Sequence, residues 1–365
     1  MYFNDDIGWI WLSKICSHTG PALSKLFTFF GCGSGKNEKI KELWEIKDIS
    51  VVDDELFENF RFRESLLNEK LKIQAVRNYE DAVKLKINIT NVFKSDYPAL
   101  LKNTYMPPLV LYYFGQLPGD KNLLSVVGSR KTSAYGRCNT FRICRELAGA
   151  GLGIVSGMAR GIDSKAHEGA LEGGGYTAAV LGNSLDRVYP PENVRLFEQI
   201  KNKGCIISEY PPGSEIYKSN FPARNRIIAG ISLGTFVTEA AKSSGAMITV
   251  DRALEENREI FALPGNVDSI LSGGTNNLIK CGAYCVTSFT DIFETLHIVY
   301  KPRENMILEL NDSEKKIVKC LKEGKYTIDE ILEGPEEVNK ILSTLTTLEI
   351  KGIVKRDYDN SWMLM

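Results

Sequence analysis

Histidine, paired cysteine and the common catalytic motifs are scarce or missing in this sequence. It has three histidines in 365 residues, and no nucleophile elbow, Walker lysine or metal-ligand cluster occurs. The eight cysteines are scattered and form no C-x-x-C pair, which is typical of small core residues in a reducing compartment. The sequence therefore predicts no catalytic residue, no metal and no cofactor.

Long hydrophobic runs and an excess of one charge are also missing. Asp5 and Asp6 stand where a signal peptide needs a positive segment, and the apolar run 7–12 is too short to span a bilayer. These features predict a cytoplasmic protein. The net charge is −1, so any nucleic-acid binding must depend on a local basic patch.

The chain divides into three predicted domains of different character. Residues 1–100 carry apolar residues at helical spacing, around 23–30 and 56–60, and predict a small helical module of the SAM or helix-hairpin-helix type. We favour a packing role for it over DNA binding, because it lacks a dense Lys/Arg stripe. Residues 303–365 predict helices followed by a short hairpin, as in a winged helix.

The middle domain, residues 105–298, alternates short apolar runs with amphipathic segments. This pattern is typical of a doubly wound α/β fold with a mostly parallel sheet, covered by helices on both faces. The predicted strands are 124–127, 153–155, 177–181, 205–208, 235–237, 259–263 and 284–286. Such a fold binds its ligand outside the carboxyl ends of the strands.

Glycine, small hydroxyls and arginine follow these strands. The loops begin Gly128-Ser129-Arg130-Lys131, Ser156-Gly157 with Arg160-Gly161, and Ser244-Gly245. Backbone N–H groups at helix N-termini suit phosphate, and glycine lets a ligand approach closely. Several such loops at one sheet edge predict an anionic ligand with more than one phosphate.

The segment 218–226 adds both elements of single-strand recognition. Lys218, Arg224 and Arg226 can contact phosphates, and Phe221 offers a ring on which any base can stack. The alternative is that Phe221 packs in the core and the arginines pair with Glu209 or Glu239. The complete set of predicted DNA contacts is Gly128, Ser129, Arg130, Lys131, Ser156, Gly157, Arg160, Gly161, Lys218, Asn220, Phe221, Arg224, Asn225, Arg226, Ser244 and Gly245.

An ordered series of motifs resembles the signatures of the DprA/Smf (DNA processing protein A) family. The motifs are V-V-G-S-R at 126–130, Y-G at 135–136, S-G-M-A-R-G-I-D at 156–163, A-H at 166–167, Y-P at 189–190, S-E-Y-P at 208–211, F-P-A-R-N-R-I-I at 221–228, S-G-A-M-I-T at 244–249 and L-P-G at 263–265. The match is strong over residues 105–296 and weak in the flanks.

This resemblance implies an extended Rossmann-like fold that binds single-stranded DNA mostly through phosphates. It also implies a homodimer that protects incoming strands and helps load a RecA-type recombinase during natural transformation. The DNA contacts that it carries over are Arg130, Gly157, Arg160, Lys218, Phe221, Arg224 and Arg226, with Ser244 and Gly245 lining the same pocket. Lys131 is a position where family members vary, so we include it as a possible contact.

Two other functions remain open from the sequence. Residues 235–246 are similar to nucleotide phosphoribohydrolases, in which Glu239 and Arg160 would be catalytic. The chain lacks that group's P-G-G-x-G-T loop, which argues against this hypothesis. The third possibility is a docking scaffold that recruits a partner through its tail, where Asp/Glu outnumber Lys/Arg.

Overall fold

The computed structural model describes most of the chain as two compact units, Met1–Lys301 and Pro302–Met365. The described residues are 2–19, 26, 29, 30, 36–48, 60–300, 310–323, 327–331, 338–350, 353–356 and 361–364. The predicted division into domains 1–100, 105–298 and 303–365 stays a prediction. Among the described segments, no helix combines the length and hydrophobicity that a membrane crossing needs.

Helices open the first unit in the part of residues 1–87 that the structure describes. They are α1 Asp5–Thr19, α2 Lys36–Glu45, α3 Phe60–Leu66 and α4 Glu69–Lys84. The rings of Trp11 in α1 and Trp44 in α2 meet edge to face at 5.4 Å, and both are buried. A helical module is therefore present. Much of the two apolar stretches that predicted it, 23–30 and 56–60, lies outside the described residues.

A nine-stranded sheet forms the centre of the first unit. Its strands are β1 Asn88–Asn91, β2 Val110–Gly115, β3 Leu123–Gly128, β4 Gly153–Ser156, β5 Thr177–Leu181, β6 Cys205–Ser208, β7 Gly234–Glu239, β8 Glu259–Ala262 and β9 Tyr284–Cys285. Their spatial order is β1-β2-β6-β5-β4-β3-β7-β8-β9. Strands β3 to β9 pair in parallel. The predicted doubly wound, mostly parallel fold is confirmed.

The two strands at one edge were not predicted. Strand β1 pairs antiparallel with β2, and β2 pairs antiparallel with β6. Strand β1 lies within the range 1–100 that we interpreted as helical, so that interpretation is wrong for residues 88–91. Thr90 and Asn91 are buried but polar, and the Thr90 hydroxyl donates to Asp96 at 2.5 Å. The hydrogen bonds of these polar side chains are satisfied by nearby residues. The strand can therefore form without an apolar run in its sequence.

Helices cover both faces of the sheet. They are α5 Ala99–Lys102, α6 Ala134–Gly149, α7 Ile162–Glu172, α8 Val194–Lys203, α9 Asn220–Gly230, α10 Ala246–Glu255, α11 Gly273–Lys280 and α12 Phe289–Thr295. Side chains alternate along β3, as a strand requires. Leu124 and Val126 join one buried cluster with α6, α7 and α12, whereas Val127 joins another with Ile227 of α9 and Val250 of α10.

The strand order reverses at β3, and this reversal positions the candidate site. Strand β4 lies on one side of β3 and β7 on the other. The chain runs outward from β3 through β4 and β5 to β6, and then outward from β7 to β9 on the opposite side. The crevice at the carboxyl ends of β3 and β7 is therefore the topological switch point, which is the ligand-binding position of this fold type.

The second unit has helices followed by a hairpin, as predicted. The helices are α13 Asp312–Lys322, α14 Ile328–Ile331 and α15 Val338–Ile350, and β10 Val354–Arg356 pairs antiparallel with β11 Trp362–Leu364. A capping box starts α13, in which Asn311 and Glu314 bond to each other's backbone N–H at 2.9 Å. The second unit has a small core of its own, which includes Leu345, Leu348 and Trp362.

Candidate nucleic-acid interface

Glu239, at the end of β7, fastens the loop that follows β3. Its carbonyl oxygen accepts from the Ser129 N–H at 2.7 Å, and its Oε2 accepts from the Ser133 N–H at 2.9 Å. The Ser133 hydroxyl donates to Oε1 and also accepts from the Gly136 N–H, which caps α6. Glu239 is buried. Its carboxylate is therefore engaged in holding the loop that carries Arg130.

Side-chain hydrogen bonds hold the backbone of the loop after β4. The fully buried Ser156 donates its hydroxyl to the Val126 carbonyl at 2.6 Å. Met158 adopts φ +53° although it is not glycine, and the Asn193 side chain donates to its carbonyl at 2.8 Å. Such a conformation persists only where the surroundings impose it. The shape of this loop is therefore set by the protein itself.

The loops after β3 and β4 touch at the start of α7. The Ile162 N–H donates to the Ser129 carbonyl at 3.2 Å. Gly161 has φ +80°, and a Cβ there would lie 2.8 Å from the Arg130 carbonyl, so only glycine fits. Asp163 accepts from the Ala159 N–H at 3.3 Å. Part of the N–H array that we expected to bind phosphate is thus satisfied internally.

Arg224 lies inside the protein. Its guanidinium donates to the Val180 carbonyl and, at 3.1 Å, to the Gly157 carbonyl, and only 4% of the residue is exposed. A Cβ on Gly157 would lie 2.5 Å from this guanidinium. Burial lowers the pKa of Arg224 to about 10, and nearby Asp163 opposes that shift. Arg224 therefore remains cationic at neutral pH while it ties α9 to the ends of β4 and β5.

Arg226 forms an ion pair with Glu209 through one guanidinium nitrogen. Its Nη2 lies 2.6 and 2.7 Å from the two carboxylate oxygens, and both side chains are about one quarter to one third exposed. This pairing is one of the alternatives that the sequence left open. Glu239 does not take the corresponding role, because its carboxylate binds Ser133.

The exposed cations lie on other segments. Arg130, Lys131, Arg160 and Lys218 are all exposed. The Arg130 guanidinium lies 5.8 Å from the ring centroid of Phe221, which is half-buried at the start of α9. The structure therefore brings the loop after β3 and the first turn of α9 together, as the sequence predicted for a ligand that needs both cations and a ring.

Arg160 forms an ion pair with Glu192 in solvent. The two side chains are 64% and 48% exposed. Their hydrogen bond raises the pKa of Arg160 and lowers the pKa of Glu192. Ion pairs between exposed groups are weak. A phosphate group can consequently replace Glu192 as the partner of Arg160.

The remaining predicted residues have mixed environments. Gly128 packs so tightly that a Cβ would lie 2.6 Å from Ile162 Cγ1, and Asn220 is buried. The Asn225 side chain accepts from Arg224 Nε at 3.3 Å. Ser244 and Gly245 follow β7 at the start of α10, where the Ser244 hydroxyl accepts from the Ala246 N–H at 3.3 Å and Gly245 is exposed. Gly128, Asn220 and Asn225 therefore shape the loops, whereas Gly245 remains open to a ligand.

Tyr189 is a candidate that the sequence analysis missed. It lies in the loop after β5, is 43% exposed and contacts Phe221 with ring centroids 5.4 Å apart. The sequence could have indicated this residue. Tyr189 follows a predicted parallel strand, and the loops after parallel strands meet at the same edge of the sheet as the arginines. Glu192, which pairs with Arg160, was missed as well.

His167, in α7, is fully buried. Its Nδ1 lies 2.7 Å from the Thr177 hydroxyl, and burial together with the charge of Arg224 lowers its pKa to about 3. The imidazole is therefore neutral at physiological pH. Within the residues that the structure describes, no three His, Cys, Asp or Glu side chains are grouped as metal ligands.

The fold and this edge define a class of protein, a doubly wound α/β protein with arginines and aromatic rings at its switch-point loops. Comparison with known proteins gives the family. A family model described as DNA recombination-mediator protein A matches residues 88–297, and the chain belongs to this family.

Individual relatives support the assignment. The chain is 35% identical over 320 residues to Protein Smf of Synechocystis, covering 84% of this chain and 80% of that protein. It is 46% identical to DNA processing protein DprA of Streptococcus pneumoniae over 54% of this chain and 70% of the relative.

Two solved structures share the fold. The DprA structure from Streptococcus pneumoniae matches with a TM-score of 0.66 at 33% identity, covering 80% of this chain and 98% of that one. A structure of DNA processing protein A from Helicobacter pylori, which concerns that protein's single-stranded DNA binding mode, matches with a TM-score of 0.53 at 30% identity, covering 58% of this chain and 96% of that one.

Proposed function

We propose that this chain is a non-catalytic protein that binds single-stranded DNA at the carboxyl edge of its sheet. The observation that carries the proposal is the contact between exposed Arg130 and the ring of Phe221, next to exposed Lys131. Cations that follow a phosphate chain, combined with a ring on which bases stack, are the two elements of single-strand binding. The Helicobacter pylori relative with a single-stranded DNA binding mode supports the same ligand.

The exposed residues bind the DNA directly in this proposal. Arg130, Lys131, Arg160 and Lys218 contact phosphates, and Phe221 contacts a base. Arg224 and Gly157 hold the loops in shape, since the guanidinium of Arg224 is buried against backbone carbonyls. Binding is largely independent of sequence and strongly dependent on salt, because phosphate contacts release counterions.

The same geometry argues for binding without catalysis. The hydrolase alternative needs Glu239 and Arg160 as catalytic groups. Glu239 is buried with both carboxylate oxygens bonded to Ser133, and Arg160 pairs with Glu192. A buried carboxylate whose two oxygens both accept hydrogen bonds from Ser133, the residue that caps α6, is poorly suited to activate a water molecule.

The biological setting that we propose follows the family. The protein acts in the cytoplasm as a homodimer, protects incoming single-stranded DNA and helps load a RecA-type recombinase in natural transformation. Pull-down of the recombinase and sedimentation of the purified chain test these two associations separately.

Fluorescence anisotropy of a labelled oligo-dT and its duplex at two salt concentrations tests the binding proposal. We expect preference for the single strand and weaker binding at higher salt. Arg130→Ala should weaken this binding. Its matched control is Arg252→Ala in α10, which removes an exposed arginine paired with Glu255 and should bind like the wild type. Absence of binding to both DNAs refutes the proposal, and release of free base from nucleoside monophosphates would support the hydrolase instead.

A further inference from the structure

Three side chains from two loops and one helix form a continuous strip at the carboxyl edge of the sheet. The Arg130 guanidinium lies 5.8 Å from the Phe221 ring centroid, and the Phe221 ring lies 5.4 Å from that of Tyr189 at an angle of 44°. The strip therefore has a cation at one end, followed by two rings in contact.

Most of the Phe221 ring is already in contact with protein. Arg130 lies near it, and Tyr189 contacts it. A Cβ on Gly182 would come within 2.9 Å of Phe221 Cδ1, so the ring rests directly on the backbone at the end of β5. Phe221 is half-buried as a result. This ring supports the strip and leaves only part of its own area open to a base.

Tyr189 has the area that Phe221 lacks. Tyr189 is 43% exposed, and its ring packs against the ring of Phe221 on one side. An exposed ring that packs against a second ring, with a cation beside that second ring, is a surface suited to an unpaired nucleobase whose flanking phosphate reaches the arginine.

We propose that Tyr189 is a base-stacking residue of this site and the main source of its preference for single strands. The inference rests on the proposed function and deepens it. Bases in a duplex already stack on neighbours on both faces, so they cannot reach the ring without unstacking. Phosphates are present in both forms of DNA, and the arginines therefore bind either. The ring discriminates between single and double strands because it needs a free base face.

Two variants of the full chain test this role with two DNA probes. We compare Tyr189→Ala with Tyr189→Phe, using a labelled oligo-dT and a labelled abasic strand of the same length, at low salt so that backbone binding is measurable. Tyr189→Ala should weaken oligo-dT binding by about 5- to 150-fold, the range for loss of one stacked base. It should leave the salt dependence unchanged, because tyrosine carries no charge. Tyr189→Phe keeps the ring and should bind like the wild type.

The abasic strand separates stacking from a structural effect. It offers phosphates and no base, so Tyr189→Ala and the wild type should bind it equally. An equal loss on both strands, or wild-type binding of oligo-dT by Tyr189→Ala, overturns the inference. If the wild type itself fails to bind oligo-dT, the proposed function fails too. If Phe221→Ala weakens binding and Tyr189→Ala does not, only the inference fails.

Discussion

Replacing Arg224 by methionine should damage the stability of the fold rather than the charge of the DNA site. The guanidinium is buried and donates to the carbonyls of Val180 and Gly157. Methionine fills a similar volume but cannot donate, so both buried acceptors lose their partner. Hydrogen bonds from a charged group contribute about 1.5–3 kcal/mol each, and breaking a buried charged network costs about 3–5 kcal/mol. We therefore expect Arg224→Met to lower the free energy of unfolding by about 3–5 kcal/mol.

Urea unfolding measures this loss, and Asp163 provides an internal check. Burial raises the pKa of Asp163, and the charge of Arg224 opposes that rise. Without Arg224 the carboxylate is more costly to keep ionised, so Asp163→Asn should cost less in the Arg224→Met background than in the wild type. On protein that remains folded, the salt dependence of DNA binding should stay close to the wild-type value, since Arg224 reaches no phosphate.

The opposite result would refute this reasoning. Suppose that Arg224→Met unfolds at the wild-type urea midpoint and that its slope of log K against log salt falls by about one, as expected for one lost phosphate contact. The Arg224 side chain of the wild type would then leave its buried position and bind DNA. Arg224 would then belong with Arg130 among the direct contacts, as the sequence alone suggested.

Three further predictions concern charge and pH. Arg130→Ala should leave the urea midpoint unchanged and reduce the slope of log K against log salt by about one, as expected for one lost phosphate contact. Glu192→Gln should tighten single-strand binding because it frees Arg160 from its ion pair, whereas Glu255→Gln should not; equal effects in the anisotropy assay would point to net charge alone. The pKa of His167 is lowered to about 3 in the folded protein, below its ordinary value near 6.5, so the unfolded chain takes up a proton first on acidification. Stability should therefore fall by up to about 1.4 kcal/mol per pH unit from about pH 6.5 downward, and urea midpoints between pH 7 and 5 should show a shallower slope in His167→Gln.

The central sheet was predictable because its strands are nearly continuous apolar runs. Strands β3 to β8 are buried on both faces, and each coincides with a predicted segment. Strand β1 was missed for the converse reason. Its sequence Asn88–Asn91 contains two buried polar residues, and the partner that makes it a strand, β2, follows about 20 residues later. A strand whose partner is distant and whose own residues are polar shows no local apolar pattern in the sequence.

The sequence predicted the location of the candidate site better than the role of each arginine in it. Glycine and arginine after parallel strands indicate the edge, and the structure brings the loops after β3 and β4 into contact there. Which arginine faces solvent is decided by side-chain direction. Arg130 stands on an exposed loop, whereas Arg224 points inward from a helix. Both follow the same composition signal, so composition could not separate them.

Helical phase, however, carries the information that composition lacks. Residues three and four apart share a helix face. In α9, Arg224 shares its face with Ile227 and Ile228, which are both fully or almost fully buried, and with Phe221 one turn earlier, which is half-buried. The motif Phe221-Pro222-Ala223-Arg224 therefore points one cation into the core beside an aromatic ring. In the proposed function, the phosphate contacts are made by the cations of the surrounding loops. This division of roles predicts that loop arginines alter the salt dependence while Arg224 alters stability.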